Sequence, residues 1–479
     1  MNLKQKTIEN TFIVFAVTFF NRGLNVLTRV ILARLLFPED FGLVAIASII
    51  INAVSLFREM GVESAIIYRK SRVEEASHTA FIMIPVIASG LYAIVYLIAP
   101  YAGDFYNEVE VSSIIRVSGI TLLLSSLTSV PITLFAKELN FRKRMIPEVV
   151  SNLVYTLLTI LLALNGFRVW SLVYGGLISG FIGFVTVWAI TPYRPKFVFD
   201  TTLAKEMIGY GKYVLGAQIV IFVLTNVDNA VVGKMLDMKA LGYYAMAYSI
   251  ASMPATNITH IVGKILFPTY SILQDNREKL GRMFIMVVKY VSFLTVPVSF
   301  CLFALAPELV TYILGEKWIP VIPALRILCL YGLLRSLNAT TGDLFNATGN
   351  PKYLRDISLI QLFVVAVLIV PAVKFGGIEG VAALIVLKGV IATILSFKKA
   401  LLDTRIEVRA FIGMMIPFIL SAMIATVVIL MINQIYESSI QRFIVDISLF
   451  GITYTALVFT LDKRLLLEMR EVLSGIRSV

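Results

Sequence analysis

Fourteen stretches of roughly twenty predominantly apolar residues, each long enough to carry an α-helix through a bilayer core, follow one another along this 479-residue chain. They fall at 11–33, 42–63, 79–100, 112–136, 147–165, 169–191, 207–233, 242–268, 284–306, 320–346, 354–373, 377–399, 410–433 and 441–461. Nothing else in the sequence constrains the fold as strongly. A bilayer admits only helices and closed barrels, because backbone polar groups must find their partners inside the protein. Runs this long and this apolar read as helices. With 58% hydrophobic residues, 15% charged residues and a mean hydropathy of +0.86, there is too little polar surface to wrap a soluble domain of this size. The expectation is an all-α polytopic membrane protein with about 14 transmembrane helices. Loops mostly of about 6–15 residues leave no room for a folded soluble enzyme module.

A net charge of +12 could point to nucleic acid, but its distribution argues otherwise. Counted in alternate loops, one side of the membrane carries 25 Lys and Arg and the other only 7, together with the acidic segment 104–110. The positive-inside rule then places both termini and the basic loops in the cytoplasm, with contact to anionic membrane lipids as a by-product. No nucleic-acid partner is expected. Met1-Asn-Leu-Lys-Gln-Lys6 runs directly into the first stretch with no small-residue cleavage site, so that stretch reads as retained. Cys301 and Cys329 both fall inside spans and read as apolar filler, neither a disulfide nor a metal site.

Two segments 200 residues apart share one template. Arg34, Leu36, Gly42, Ala45 and Ala47 lie over Lys234, Leu236, Gly242, Ala245 and Ala247 without a gap. At an offset of 210, Leu124, Ser126, Leu127, Leu134, Phe135, Asn140 and Arg142 lie over Leu334, Ser336, Leu337, Leu344, Phe345, Asn350 and Lys352. Six spans return the chain to its starting side, so the repeats are parallel, and this is the mark of a transporter built from two halves around a central cavity. The expected organisation is an N-terminal six-helix bundle at 1–197 and a second at 198–406. Two additional helices and a cytoplasmic tail follow at 407–479.

Charges inside spans cost about 2.5–3.5 kcal/mol each near the centre on insertion scales, so each needs a reason. On the first span Thr18, Arg22, Asn25 and Arg29 recur at helical spacing on one face, and Gln218, Thr225 and Asn229 form the matching face of the seventh. Either stripe could face a wet cavity or glue helices together. Arg22, Asn25, Arg29, Arg58, Lys264 and Arg335 would make a cationic cavity suited to a phosphate-bearing substrate. The competing account pairs Arg58 with a neighbouring glutamate and Arg335 with Asp343. Glu59, Asp228 and Asp343 are candidates for coupling a cation or proton. The Gly175-Gly176…Gly180…Gly183 run resembles small-residue helix packing and lacks the lysine of a phosphate loop. There is no nucleotide, metal or hydrolase motif. No cofactor is expected, the chain reads as no enzyme, and any energy source would be an ion gradient or the substrate's own flux.

Several of these patterns, in order, resemble the bacterial polysaccharide transporter (O-unit flippase) family of the multidrug/oligosaccharidyl-lipid/polysaccharide exporter superfamily. They are Asn21-Arg22, Arg34-Leu-Leu-Phe-Pro-Glu-Asp-Phe-Gly42, Glu59-Met-Gly61-Val-Glu-Ser-Ala65, Lys137-Glu-Leu-Asn-Phe-Arg142 and Ala347-Thr-Gly349-Asn-Pro-Lys352. The resemblance covers essentially the whole chain. It implies two six-helix bundles in a V around a central cavity plus two extra helices. It also implies flipping of undecaprenyl-pyrophosphate-linked glycan repeat units across the bacterial inner membrane, with polysaccharide polymerase machinery as a possible partner. Cationic residues on the first, second and eighth helices look like those of the related lipid II flippase. Only Arg22, Arg58 and Lys264 match by position, with lysine in place of arginine in the last. The alternatives are a cation-coupled multidrug antiporter of the same superfamily, which favours an acidic cavity, and a membrane glycan polymerase, which needs a long outer loop. The longest outer loops here lie near 100–111 and 306–319.

Overall fold

The computed structural model describes residues 3–256, 270–435, 439–463 and 465, without side chains at 3–13, 15, 210, 212–214 and 217. Every described element is helical. In chain order, α1 is Leu3–Leu35, α2 Pro38–Glu59, α3 Val62–Tyr68, α4 Val73–Tyr106, α5 Val109–Ser118, α6 Ile120–Lys137, α7 Phe141–Leu164 and α8 Val169–Ile190. Next come α9 at Thr201–Met235 and α10 at Met238–Ala251. After the undescribed stretch, α11 is Arg277–Ala304, α12 Ile322–Ala347, α13 Pro351–Thr404, α14 Val408–Ile435 and α15 Ile440–Leu461.

Among the described residues, ten segments are long and apolar enough to cross a bilayer. One of them, α13, has 54 residues, which would run about 80 Å if straight, far more than one crossing needs. It is not straight. Gly377 adopts φ 53 and ψ −138, and a Cβ on Gly380 would lie 2.2 Å from the Ala372 carbonyl oxygen. Eight residues along one helix are about 12 Å apart, so the chain doubles back here and α13 is a hairpin covering two of the expected windows. α1 and α9 occupy two further windows without being among the ten. α10 reaches only part of the window at 242–268, since residues 257–269 lie outside the described set. Fourteen remains a count taken from the sequence.

The chain forms two compact units, residues 1–245 and 246–479. In the first, the duplication is visible in the backbone. α1 ends at Leu35 and α9 at Met235; α2 starts at Pro38 and α10 at Met238. The Leu36 amide donates to the Leu32 carbonyl at 2.8 Å, and its counterpart Leu236 donates to Val232 at 3.0 Å. A Cβ on Gly42 would meet the Met238 carbonyl oxygen at 1.9 Å, and one on Gly242 would meet that of Pro38 at the same distance. Two helix starts therefore cross through reciprocal backbone contacts that leave no room for any side chain. The loop after α8 is held to the start of α4: Asp200 pairs with Arg72 at 2.6 Å and Lys196 with Glu74 at 3.2 Å. Asp200 also caps α9 by accepting from the Thr202 and Leu203 amides, and those bonds together with Arg72 hold its carboxyl below the usual aspartate range.

In the second unit the appended pair α14–α15 is bound by polar contacts as well as by packing. Asn433 donates to Glu308 at 2.6 Å and accepts from Arg442 at 2.9 Å. Lys289 pairs with Asp462 at 3.1 Å, and the Tyr454 hydroxyl donates to the Phe293 carbonyl at 3.1 Å. Around these sits an apolar core that includes Phe284, Phe345, Phe418 and Phe450. Large apolar side chains such as Leu97, Phe363 and Ile444 stand exposed on the helices, as expected where lipid rather than water is the solvent.

Candidate functional site

The polar residues of α1 divide between two faces. Asn21 and Thr28 are buried against α7: Asn21 donates to Glu148 at 3.1 Å, Asn152 donates to Asn21 at 3.2 Å, and the Thr28 and Thr156 hydroxyls are 2.7 Å apart. These are the bonds that glue the helices. The stripe read from the sequence lies beside them: Asn25 and Arg29 are exposed and Thr18 and Arg22 half-buried. In this unit the arginine stripe is thus the open face of α1.

Arg58 lies in the last turn of α2, which stops because Met60 and Gly61 both take left-handed conformations, at φ 38 and 68. The guanidinium is buried, pairs with Glu59 at 2.8 Å and donates to the Ser125 hydroxyl of α6. One turn further, Glu63 accepts from Ser129 at 2.6 Å. Arg58 is therefore a partly neutralised cation in a hydrogen-bonded cluster, while Glu59 keeps one edge open. Asp228, on α9, is 1% exposed and accepts from the Tyr244 hydroxyl at 2.7 Å. In the second unit Arg335 donates to the Tyr248 hydroxyl at 3.2 Å, and Asp343 is half-buried about two turns further along α12. Lys264 and its neighbour His260 lie outside the described residues.

Sequence reasoning passed over Arg144 and Glu148. They line a cavity of about 470 Å³ between α6, α7 and α8, with Ser125, Thr128, Ser151 and Phe184. Arg144 was absorbed into the basic-loop count and Glu148 falls at the very edge of its expected span. Their spacing of four on one helix is the signal that could have found them. The glycine run of α8 splits in function. A Cβ at Gly175 or Gly183 would strike Thr159 at 2.0 Å or Ser151 at 2.4 Å, so these two pack against α7. Gly176 and Gly180 line the cavity without such a contact, and Gly183 lines it as well.

Ten long apolar helical segments among the described residues make this a polytopic membrane protein. The chain belongs to the polysaccharide biosynthesis protein family, whose pattern matches residues 31–323. It is 26% identical over 411 residues to the lipopolysaccharide biosynthesis protein WzxC of Escherichia coli (strain K12), spanning 83% of this chain and 81% of that one. It is also 26% identical over 358 residues to the succinoglycan biosynthesis transport protein ExoT of Rhizobium meliloti (strain 1021), over 75% of this chain and 72% of that one. Among solved structures, it resembles the inward closed conformation of the lipid II flippase MurJ with a TM-score of 0.77 and 15% identity, over 95% of this chain and 100% of that one. An inward-facing multidrug resistance transporter of the MATE family follows at 0.65 and 16%, over 80% and 94%. These two likenesses establish the shared fold.

Proposed function

We propose that this protein is a flippase for lipid-linked oligosaccharides. In this reading it moves undecaprenyl-pyrophosphate-linked repeat units from the inner to the outer leaflet of the bacterial cytoplasmic membrane, by alternating access of its two repeats. The observation that carries the reading is the basic stripe of α1, where Asn25 and Arg29 are exposed and Arg22 half-buried beside the face that packs on α7. A pyrophosphate needs fixed cations in a site of low dielectric, and guanidinium groups bind it in a bidentate fashion. Arg58 is close enough to its own glutamate to act as a polarised donor rather than a bare charge. Family membership and the names of the relatives, one a lipopolysaccharide biosynthesis protein and one a succinoglycan transport protein, support the same reading. Lys264 and Arg335 are assigned to the same cationic set, and Glu59, Asp228 and Asp343 to ion coupling. Surface polymerase machinery is the downstream partner.

The test is a deletion strain with its lipid-linked glycans extracted and assigned to a leaflet. Complete repeat units accumulate facing the cytoplasm, and the gene relieves this. Unchanged intermediates together with new sensitivity to cationic dyes would replace the flippase with a drug antiporter. Arg22→Ala, Arg58→Ala and Lys264→Ala each lower export by about tenfold or more at normal membrane levels, as expected when a charge-assisted contact is lost. Wild-type export in all three would sink the cationic set.

A further inference from the structure

The cavity between α6, α7 and α8 differs from a packing defect. Arg144 and Glu148 are both exposed and lie within the first eight residues of α7. Both stand at the end of α7 next to a basic loop, where headgroups and water reach charged side chains. Gly176 and Gly180 hold the space open. A Cβ at Gly176 would meet nothing within 4 Å, and one at Gly180 only Leu124 at 3.9 Å. Alanine would fit at either position, and glycine inside a helix costs about 0.5–1 kcal/mol relative to alanine. Helix packing therefore gives no reason for these two glycines, whereas an occupant of the cavity does.

The lining indicates what occupant it suits. The Glu148 carboxylate accepts, the Arg144 guanidinium donates, and Ser151 offers a hydroxyl. The Ser125 and Thr128 hydroxyls, which donate to the Thr121 and Ser125 carbonyls, offer their remaining lone pairs, while Phe184 presents an apolar ring. A pyranose has the matching shape, with a rim of hydroxyls and a flatter C–H face that an aromatic ring covers. At about 470 Å³ the space lies within the range of small-ligand pockets. It is also wired to the basic residues: Asn21, next to Arg22 in the chain, donates to Glu148 at 3.1 Å, and Arg58 donates to Ser125.

We infer that this cavity is a glycan subsite, taking one pyranose ring of the lipid-linked oligosaccharide through Arg144, Glu148, the hydroxyls of α6 and the ring of Phe184. The substrate class rests on the flippase reading; the cavity's affinity for a sugar does not. The test uses the full chain in lipid nanodiscs, with the methyl glycosides of glucose, galactose and N-acetylglucosamine as probes and saturation-transfer NMR as readout. At least one glycoside shows transfer in the wild type, and its affinity falls about tenfold in Gly176→Leu, which fills the space, and in Glu148→Gln, which removes the charge. Glu148→Gln keeps an acceptor for Asn21, so it carries the test if Gly176→Leu does not fold. Undecaprenyl pyrophosphate, measured in parallel, binds wild type and both variants alike. Transfer from no glycoside, or transfer equal in wild type and Glu148→Gln, overturns the subsite. Cavity-dependent sugar binding without any binding of the prenyl pyrophosphate would instead keep the subsite and remove the flippase reading.

Discussion

The turn after α6 and the turn after α12 lie 210 residues apart and use the same hydrogen bonds, whereas the side chains on the helices around them have diverged. Asn140 and Asn350 donate to Phe135 and Phe345, at 2.9 and 2.8 Å; Leu139 and Gly349 donate to Ala136 and Asn346, at 3.2 and 3.3 Å. Both turns are the same left-handed helix cap, with φ 56 at Leu139 and 73 at Gly349. Inside the helices the copies diverge. Val386 and Val390 stand 210 residues on from Gly176 and Gly180, and Leu354 and Ser358 stand where Arg144 and Glu148 do. A cavity of about 500 Å³ in the second unit lies elsewhere, between α11, α12, α13 and α14. Its walls are mostly apolar, with Phe300, Phe303, Leu330, Leu333 and Met423 beside Arg326, and of these counterparts only Val386 reaches it. A duplicated chain keeps what its backbone cannot do without and is free to change what its side chains line.

The sharpest test of the retained part is the reciprocal crossing of α2 and α10. Gly42→Ala and Gly242→Ala each drive a methyl group into a carbonyl oxygen that belongs to the other helix start, so neither can be relieved by moving a side chain. Each should cost about 1–3 kcal/mol, the usual penalty of overpacking, and lower export in step. Thermal unfolding in detergent, followed by the fluorescence of Trp170, Trp188 and Trp318, measures it. A silent Gly242→Ala beside a damaging Gly42→Ala would break the symmetry claimed for the pair.

How far the sequence reveals this molecule follows from which interactions are local. The helices and the repeats are legible because hydropathy, the glycine of each template and the positions of helix ends are all written along the chain. The open stripe of α1 is legible too, since a period of 3.6 sorts residues by face. The adjacent packing face is not, because Asn21 and Thr28 find their partners 127 and 128 residues away on α7. Asp228 illustrates the same limit. Its position in a span marks it as a candidate for ion coupling, but the Tyr244 hydroxyl that bonds to it lies across a turn, where helical periodicity does not reach. The glycines of α8 have one sequence signature and two uses, which only the presence or absence of a neighbour at each Cβ could separate.

A smaller effect separates the two left-handed caps. Leu139 holds a conformation that disfavours side chains by about 1–2 kcal/mol, while Gly349 holds it freely. Leu139→Gly should therefore be neutral or mildly stabilising, since part of the relief is offset by about 0.4–1 kcal/mol of added freedom in the unfolded chain. Gly349→Leu should be neutral or mildly destabilising, the strain of about 1–2 kcal/mol being offset by the same change in freedom of the unfolded chain. The same unfolding midpoints read both changes. Equal and opposite responses sharpen the equivalence of the turns, and a destabilised Leu139→Gly would mean that the leucine contributes contacts its partial exposure does not suggest.

The smallest effect lies one residue further on. Asn140 and Asn350 occupy the same place in the two copies, but only Asn140 caps its helix through the side chain, accepting from the Lys143 amide at 3.3 Å. Asn350 turns its amide back to the Thr348 carbonyl at 3.3 Å, and Pro351 follows it at the first position of α13, where no amide hydrogen needs a partner. Asn140→Ala therefore removes a cap worth about 0.5–2 kcal/mol, whereas Asn350→Ala removes only a long turn bond. A difference in unfolding midpoint between the two variants, with Asn140→Ala the lower, would show that even the retained turns have begun to specialise. Identical midpoints would place the whole capping contribution in the backbone bonds that the copies share.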